Sequence, residues 1–133
     1  MTRVGLVTLL VHEYDAAIAW FVEKLGFVVH QDTPLAESKR WVVVGPADST
    51  GARILLAKAA VEGQQARVGD QTGGRVFLFL ETDDFARDHA RLRGRGVKFI
   101  EEPRREGYGT VAVFEDLYGN RWDLIEHRLP AVP

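Results

Sequence analysis

The chain has 133 residues, 46% of them hydrophobic and 27% charged, the balance of one globular domain with a modest core. Its formal net charge of -2 sets up no field that would gather nucleic acid or an anionic membrane, and no apolar run approaches the roughly 18 residues of a membrane helix. The absence of cysteine leaves no disulfide framework, no thiolate metal site and no thiol nucleophile.

Val4 to Val11 is short, apolar and rich in β-branched residues, so a buried strand is expected there. A helix follows, with Asp15 as its expected N-cap because a carboxylate can accept from the free amides of a first turn. Ala17, Ile18, Phe21, Val22 and Leu25 fall on one helical face, with Trp20 beside them, and Gly26 supplies the left-handed residue that ends the helix. Extended chain resumes over 27–30. Strands are expected over 40–46 and 52–58, separated by the turn residues of 46–51. Residues 59–74 are rich in Gly and Gln, lack periodicity and read as a linker. The strongest strand pattern covers 75–82. Asp83 and Asp84 then occupy the N-cap place of a second helix, whose face is marked by Phe85, His89 and Leu92 and whose end is marked by Gly94 and Gly96. A strand over 97–100, a loop over 101–109, a strand over 110–115, a turn over 116–120 and a strand over 121–126 precede a polar tail ending in prolines. The arginines of 91–95 and 104–105 read as a solvated helix face and a solvated loop.

This order is β-α-β-β-β, twice. Gly26 and Gly96, and Val44 and Phe114, lie about 70 residues apart and hold the same place in each half, which is the mark of an internal repeat. The fold class is therefore α+β, a single domain over 1–133 with module one at 1–58, a linker at 59–74 and module two at 75–128.

Two stretches, LLVHEYDAAIAWFVEKLGF (9–27) and VFEDLYGNRWDLIE (113–126), resemble the opening and closing motifs of the vicinal-oxygen-chelate superfamily, which includes glyoxalases, bleomycin-resistance proteins and extradiol dioxygenases. Leu117 stands where the closing motif usually has proline. The resemblance implies curved sheets, one from each module, forming a cup, and a homodimer. It also implies four inward positions that hold a divalent metal in the enzymes of the family. Carried onto this chain they are Leu6, Leu55, Arg75 and Asp123. Two leucines, an arginine and one aspartate do not converge oxygen or imidazole donors on a cation, so no metal and no other cofactor is expected.

Strand alternation extends that inward set to Thr8, Leu10 and Ala57 in the first half, with Trp41 and Val43 by the repeat offset. In the second half it adds Phe77, Phe79, Arg121 and Ile125 beside Arg75 and Asp123. Such a lining suits a planar or partly apolar organic ligand held by few polar contacts. Arg75 and Asp123 either grip that ligand or neutralise each other, and Tyr108, between Gly107 and Gly109, either covers the cup mouth or belongs to a plain connector. Trp20 reads as a dimer contact or as helix-on-sheet packing. His12, His30, His89 and His127 show no short ligand spacing and read as surface or hydrogen-bonded residues, and Ser38 and Ser49 sit in no nucleophile elbow.

The expected function is capture of a small organic molecule without the metal of the family. The alternative is a divalent-metal-dependent lyase, isomerase or ring-cleaving dioxygenase that recruits Asp123 with His30 or Glu126, or a metal-free enzyme with Asp123 as the candidate catalytic base and Arg75 as anion clamp. The first 20 residues show no basic start, apolar block and cleavage site, so a cytoplasmic protein without nucleic-acid or membrane partners is expected.

Overall fold

The computed structural model describes residues 1–48 and 50–128; Ser49 and the proline-ending tail 129–133 lie outside the described residues. The chain divides into two compact units, the first ending at Gln71 and the second beginning at Thr72. Among the described residues no helix is long and apolar enough to cross a membrane.

The first unit comprises β1 (Leu6–Val11), α1 (Tyr14–Leu25), β2 (Val28–Ala36), β3 (Lys39–Gly45), β4 (Arg53–Lys58) and α2 (Glu62–Gln65). Its sheet runs β1-β4-β3-β2. The β1–β4 pair is parallel, with Leu6 opposite Arg53, Thr8 opposite Leu55 and Leu10 opposite Ala57; the other pairs are antiparallel. One face carries Leu9, Val11, Val42, Val44 and Leu56, all buried, and α1 packs on this sheet with Ala17, Phe21 and Leu25 buried. The free edge of β1 is partly closed by a side chain: Leu10 N–H donates to Gln71 Oε1 (3.3 Å) and Gln71 Nε2 donates to the Thr8 carbonyl (3.2 Å). That amide does for two backbone groups what a neighbouring strand would do.

The expectations for this half need three corrections. The helix starts at Tyr14 with Glu13 in the N-cap place, so Asp15 lies in the first turn, where its charge suits the positive helix end and its carboxylate takes Arg40 at 2.8 Å. Val22 is exposed, and Tyr14 takes the buried place one turn before Ala17. The linker contains a helical turn, α2, because Gln64 Oε1 accepts from the Ala60 amide at 2.8 Å and organises the entry. At the other end of α1 the expectation holds: Gly26 has φ 73°, and the Gly26 and Phe27 amides close on the Val22 and Phe21 carbonyls.

The second unit comprises β5 (Val76–Glu81), α3 (Phe85–Gly94), β6 (Lys98–Phe99), β7 (Arg104–Glu106), β8 (Gly109–Glu115) and β9 (Arg121–His127). Its sheet runs β5-β9-β8-β6, with β7 also paired to β8, and β5 lies parallel to β9. Asp84 caps α3 by accepting from Arg87 N–H at 3.0 Å, and Glu126 Oε1 accepts from Phe85 N–H at 2.7 Å. The segment expected as a loop over 101–109 holds β7. Pro103 falls between β6 and β7, and where backbone pairing is interrupted the Glu101 carboxylate accepts the Val113 amide (3.1 Å). Gly109 is buried, and a Cβ there would collide with the Glu126 carbonyl. Its glycine serves the close approach of β8 to β9, and Tyr108 accepts from Arg128 N–H through its carbonyl at 2.8 Å.

One buried and one half-buried group organise this unit. Asp116 opens the 116–120 turn: Oδ1 accepts from the Tyr118 and Asn120 amides (3.1 and 3.0 Å), and Oδ2 accepts from Asn120 Nδ2 and Trp122 Nε1 (3.1 and 3.0 Å). Burial pushes its carboxyl above the ordinary range, against the pull of the Trp122 and Asn120 donors. His89 sits between Phe85 (ring centroids 5.2 Å) and Phe99 (4.5 Å), and its Nε2 is buried with no hydrogen-bond partner among the described residues. Burial first, and then the Arg93 charge, lower its pKa below 6.5, while Glu102 opposes.

Replacing Asp116 by Ala strands four N–H donors and should lower unfolding free energy by about 3 kcal/mol in urea titrations. His89 gives a second expectation. Its folded pKa is depressed, so the unfolded chain takes up the proton first as pH falls below 6.5, and this residue's share of stability is present above that pH and lost beneath it. The fall in urea midpoint between pH 7.5 and pH 5 should therefore be smaller in His89→Phe than in the wild type.

Candidate functional site

The face of the first unit opposite the helix-packed residues is concave and open. It holds a cavity of about 760 Å³ lined in part by Leu10, Trp41, Leu55 and Ala57. Register explains why these four meet. Thr8, Leu55 and Val43 are cross-strand partners in one row, Leu10 and Ala57 form the next, and Trp41 lies two residues before Val43 on β3. Side chains two apart on a strand share a face, so the residues that leave Leu9, Leu56 and Val42 under the helix necessarily turn these outward. The rim is polar: Thr8, Ser38, Gln64 and Gln65 contribute, with Lys39, Arg40 and Lys58.

Arg40 holds one side of the rim in place. Its guanidinium bonds Asp15 (2.8 Å) and Asp32 (2.6 Å) and lies over the Tyr14 ring, 5.2 Å from its centroid, while its amide donates to the Tyr14 hydroxyl (3.2 Å). This ties the start of α1 to the β2–β3 hairpin. The two carboxylates raise the Arg40 pKa, and Arg40 holds the Asp32 carboxyl below its ordinary value. Lys58 is paired with Glu13 at 3.3 Å. None of this network was visible in the sequence, because Arg40, Asp15 and Asp32 share no motif and meet only through the hairpin.

In the second unit Asp123 occupies the position that matches Leu55. It lies on β9 between Val113 of β8 and Phe79 of β5, is only 6% exposed, and its Oδ1 has no hydrogen-bond partner among the described residues. Burial pushes its carboxyl up; Arg104 pulls it down and Glu101 pushes it further up. Arg104 is itself held by Glu101 (3.1 Å) and Glu106 (2.6 Å).

The expected site residues are thus placed unevenly. Leu55 and Trp41 line the cavity of the first unit, whereas Leu6 sits at the start of β1, 40% exposed and outside the lining described. Arg75 precedes β5 and is exposed. No ion pair joins it to Asp123 among the described residues; the cation felt at Asp123 is Arg104. The expectation that Arg75, Phe77 and Phe79 share one face fails at a bulge between Val76 and Leu78. Phe77 is the extra residue, and its ring meets Trp122 edge-on at 6.5 Å. Phe79 stays opposite Asp123 and is 59% exposed. Tyr108 is exposed at the β7–β8 turn.

The donor set does not fit a divalent metal. Leu6 and Leu55 carry no donor atoms, Arg75 is cationic, and among the described residues no group of three or more His, Asp or Glu side chains is placed to hold a metal ion. The substitutes named for the alternative are otherwise engaged: His30 Nε2 lies 3.1 Å from the Pro46 carbonyl, and Glu126 caps α3.

A family model described as the Glyoxalase/Bleomycin resistance protein/Dioxygenase superfamily matches residues 3–124, and the chain belongs to that superfamily. Its two βαβββ modules with open, curved sheets are the fold of the family. An uncharacterized protein of Shewanella frigidimarina (strain NCIMB 400) is 54% identical over 90% of each chain. The crystal structure of UcmS2 is similar at 34% identity and TM-score 0.82, covering 94% of this chain and 98% of its own. That of TnmS3, an antibiotic binding protein from Streptomyces sp. CB03234, is similar at 28% identity and TM-score 0.77, covering 96% and 98%.

A buried carboxylate with one oxygen left without a hydrogen bond costs stability. Because the Asp123 pKa is raised on folding, its contribution is favourable below 3.8 and is lost as pH rises through the folded value. Asp123→Leu should therefore be more stable than the wild type at pH 7, by about 1 kcal/mol, and the gain should shrink toward pH 4 in urea titrations.

Proposed function

We propose that this protein is a binding module that captures a planar, largely apolar organic molecule in the cavity of its first unit. The observation that carries the reading is the cavity of about 760 Å³ with Trp41, Leu10, Leu55 and Ala57 in its lining. Its size and its mixture of an aromatic floor with a few polar rim groups are those of a small-molecule pocket. Trp41 supplies a rigid ring for stacking, and Thr8 and Gln65 offer hydroxyl and amide contacts at the edge. The poor metal donor set supports binding over metal-assisted chemistry, and the likeness to an antibiotic binding protein supports an antibiotic or other toxic metabolite as the class of ligand. The same reading makes the protein a homodimer, which light scattering would register as twice the chain mass.

Asp123 favours a second reading. A buried carboxyl with a raised pKa and a free oxygen is equipped for proton transfer, and a substrate held on that face would meet it. Asp123→Asn would then abolish turnover while sparing ligand affinity.

A thermal-shift and tryptophan-quenching screen with planar polycyclic compounds tests the main reading. Hits should stabilise the wild type, and Trp41→Ala should weaken them by about 2 kcal/mol, roughly 30-fold. A screen in which Trp41→Ala and the wild type respond alike would sink it.

A further inference from the structure

We propose that the ligand of the first-unit cavity carries a negative charge, and that the Lys39 ammonium receives it while the ring system lies against Trp41. This rests on the cavity being the binding site. The lining contains three cations, Lys39, Arg40 and Lys58, and no carboxylate. Two of the three are already neutralised from outside the cavity. Arg40 is held by Asp15 and Asp32, and Lys58 by Glu13. Lys39 forms no ion pair among the described residues, so the cavity keeps one uncompensated positive charge at its mouth.

Its position is set by the hairpin. Lys39 is the first residue of β3, opposite Ala36, and the strand then runs through Arg40 to Trp41. Lys39 and Trp41 share a face because they are two apart, with Cα atoms about 7 Å from one another. That spacing matches an acidic substituent on the edge of a fused ring system whose plane lies on the indole. Arg40, between them, also reaches the rim, but Asp15 and Asp32 already hold its guanidinium over the Tyr14 ring, so its charge is met from within the protein and Lys39 is left to take the anion. The ligand class is therefore a planar aromatic acid or phenolate, carrying a carboxylate, sulfonate or ionised hydroxyl at one edge.

The test uses two fluorescent probes with one ring skeleton, anilinonaphthalene sulfonate and its uncharged parent phenylnaphthylamine, titrated into the full chain at low and high salt. The wild type should bind the sulfonate roughly tenfold more tightly than the parent, and salt should erode that preference. Lys39→Met should erase the preference without weakening the parent, Lys39→Arg should restore it, and Trp41→Ala should weaken both probes. Lys39 is exposed, and equal thermal midpoints for its variants will show that folding is not the cause. Equal binding of the two probes, or a preference that survives Lys39→Met, overturns the anion assignment while leaving the cavity as the site, provided Trp41→Ala still weakens both. Failure of both probes to bind, or indifference to Trp41→Ala, overturns the cavity reading and this assignment together.

Discussion

A strand that lies parallel to its neighbour cannot be reached by a tight turn; the chain must cross over, and the crossing element comes to rest on one face of the sheet. Both units are governed by this. The first strand of each is parallel to the last, β1 to β4 and β5 to β9, and each crossing includes a helix, α1 or α3, before the remaining strands return as antiparallel hairpins. The covered face takes the residues that need burial, Leu9, Val42 and Leu56 in one unit and Phe114, Trp122 and Leu124 in the other. Alternation then forces the intervening residues, Thr8, Leu10, Leu55 and Asp123 among them, onto the face without a helix. The candidate site is a consequence of how a parallel pair is closed, before any chemistry is placed in it.

Two aspartates of β9 and its preceding turn show how differently a buried carboxylate can be treated. Asp116 and Asp123 are 7% and 6% exposed, and burial raises the pKa of both. Around Asp116 the turn folds four N–H donors inward, so the cost of desolvation is offset locally and the residue locks the turn to Trp122. Asp123 has no such arrangement at Oδ1. Nothing in the register of β9 requires an acid there, since its neighbours Leu124 and Ile125 are apolar and buried.

The backbone order was legible because it rests on local signals. Gly26 ends α1 and Asp84 caps α3 for reasons contained in a few residues, and the offset of about 70 residues fixed which positions are equivalent. What escaped were features that depend on partners distant in the chain. A bulge inserts one residue without altering composition, so the run 75–82 could not reveal that Phe77 leaves the face of Phe79. The pairing of β7 is short and rests on β8, not on strand propensity of Arg104–Glu106. Arg40 carried no motif, yet it organises the cavity rim through two carboxylates brought near by the hairpin. Alternation set Trp41 and Leu55 on one face, and both line the first unit's cavity; Arg75 precedes β5 and the bulge that follows Val76.

Equivalence between Leu55 and Asp123 gives the repeat its chemical meaning. Each sits at the third position of its unit's last strand, flanked by a valine of the preceding strand, Val43 or Val113, and by a residue of the first strand, Thr8 or Phe79. The backbone environment is the same, so the chemistry of each face is decided by side chains alone. With leucine at its centre, the row Thr8–Leu55–Val43 carries no charge beside Trp41, and the cations of the cavity lining, Lys39, Arg40 and Lys58, stay at the rim. With aspartate, the row Phe79–Asp123–Val113 places one oxygen that finds no hydrogen bond among the described residues. A symmetrical metal site would need donors at both positions; this chain has them at one. The two modules thus keep a common scaffold whose equivalent positions differ in side chain alone, a leucine in one and a buried carboxylate in the other.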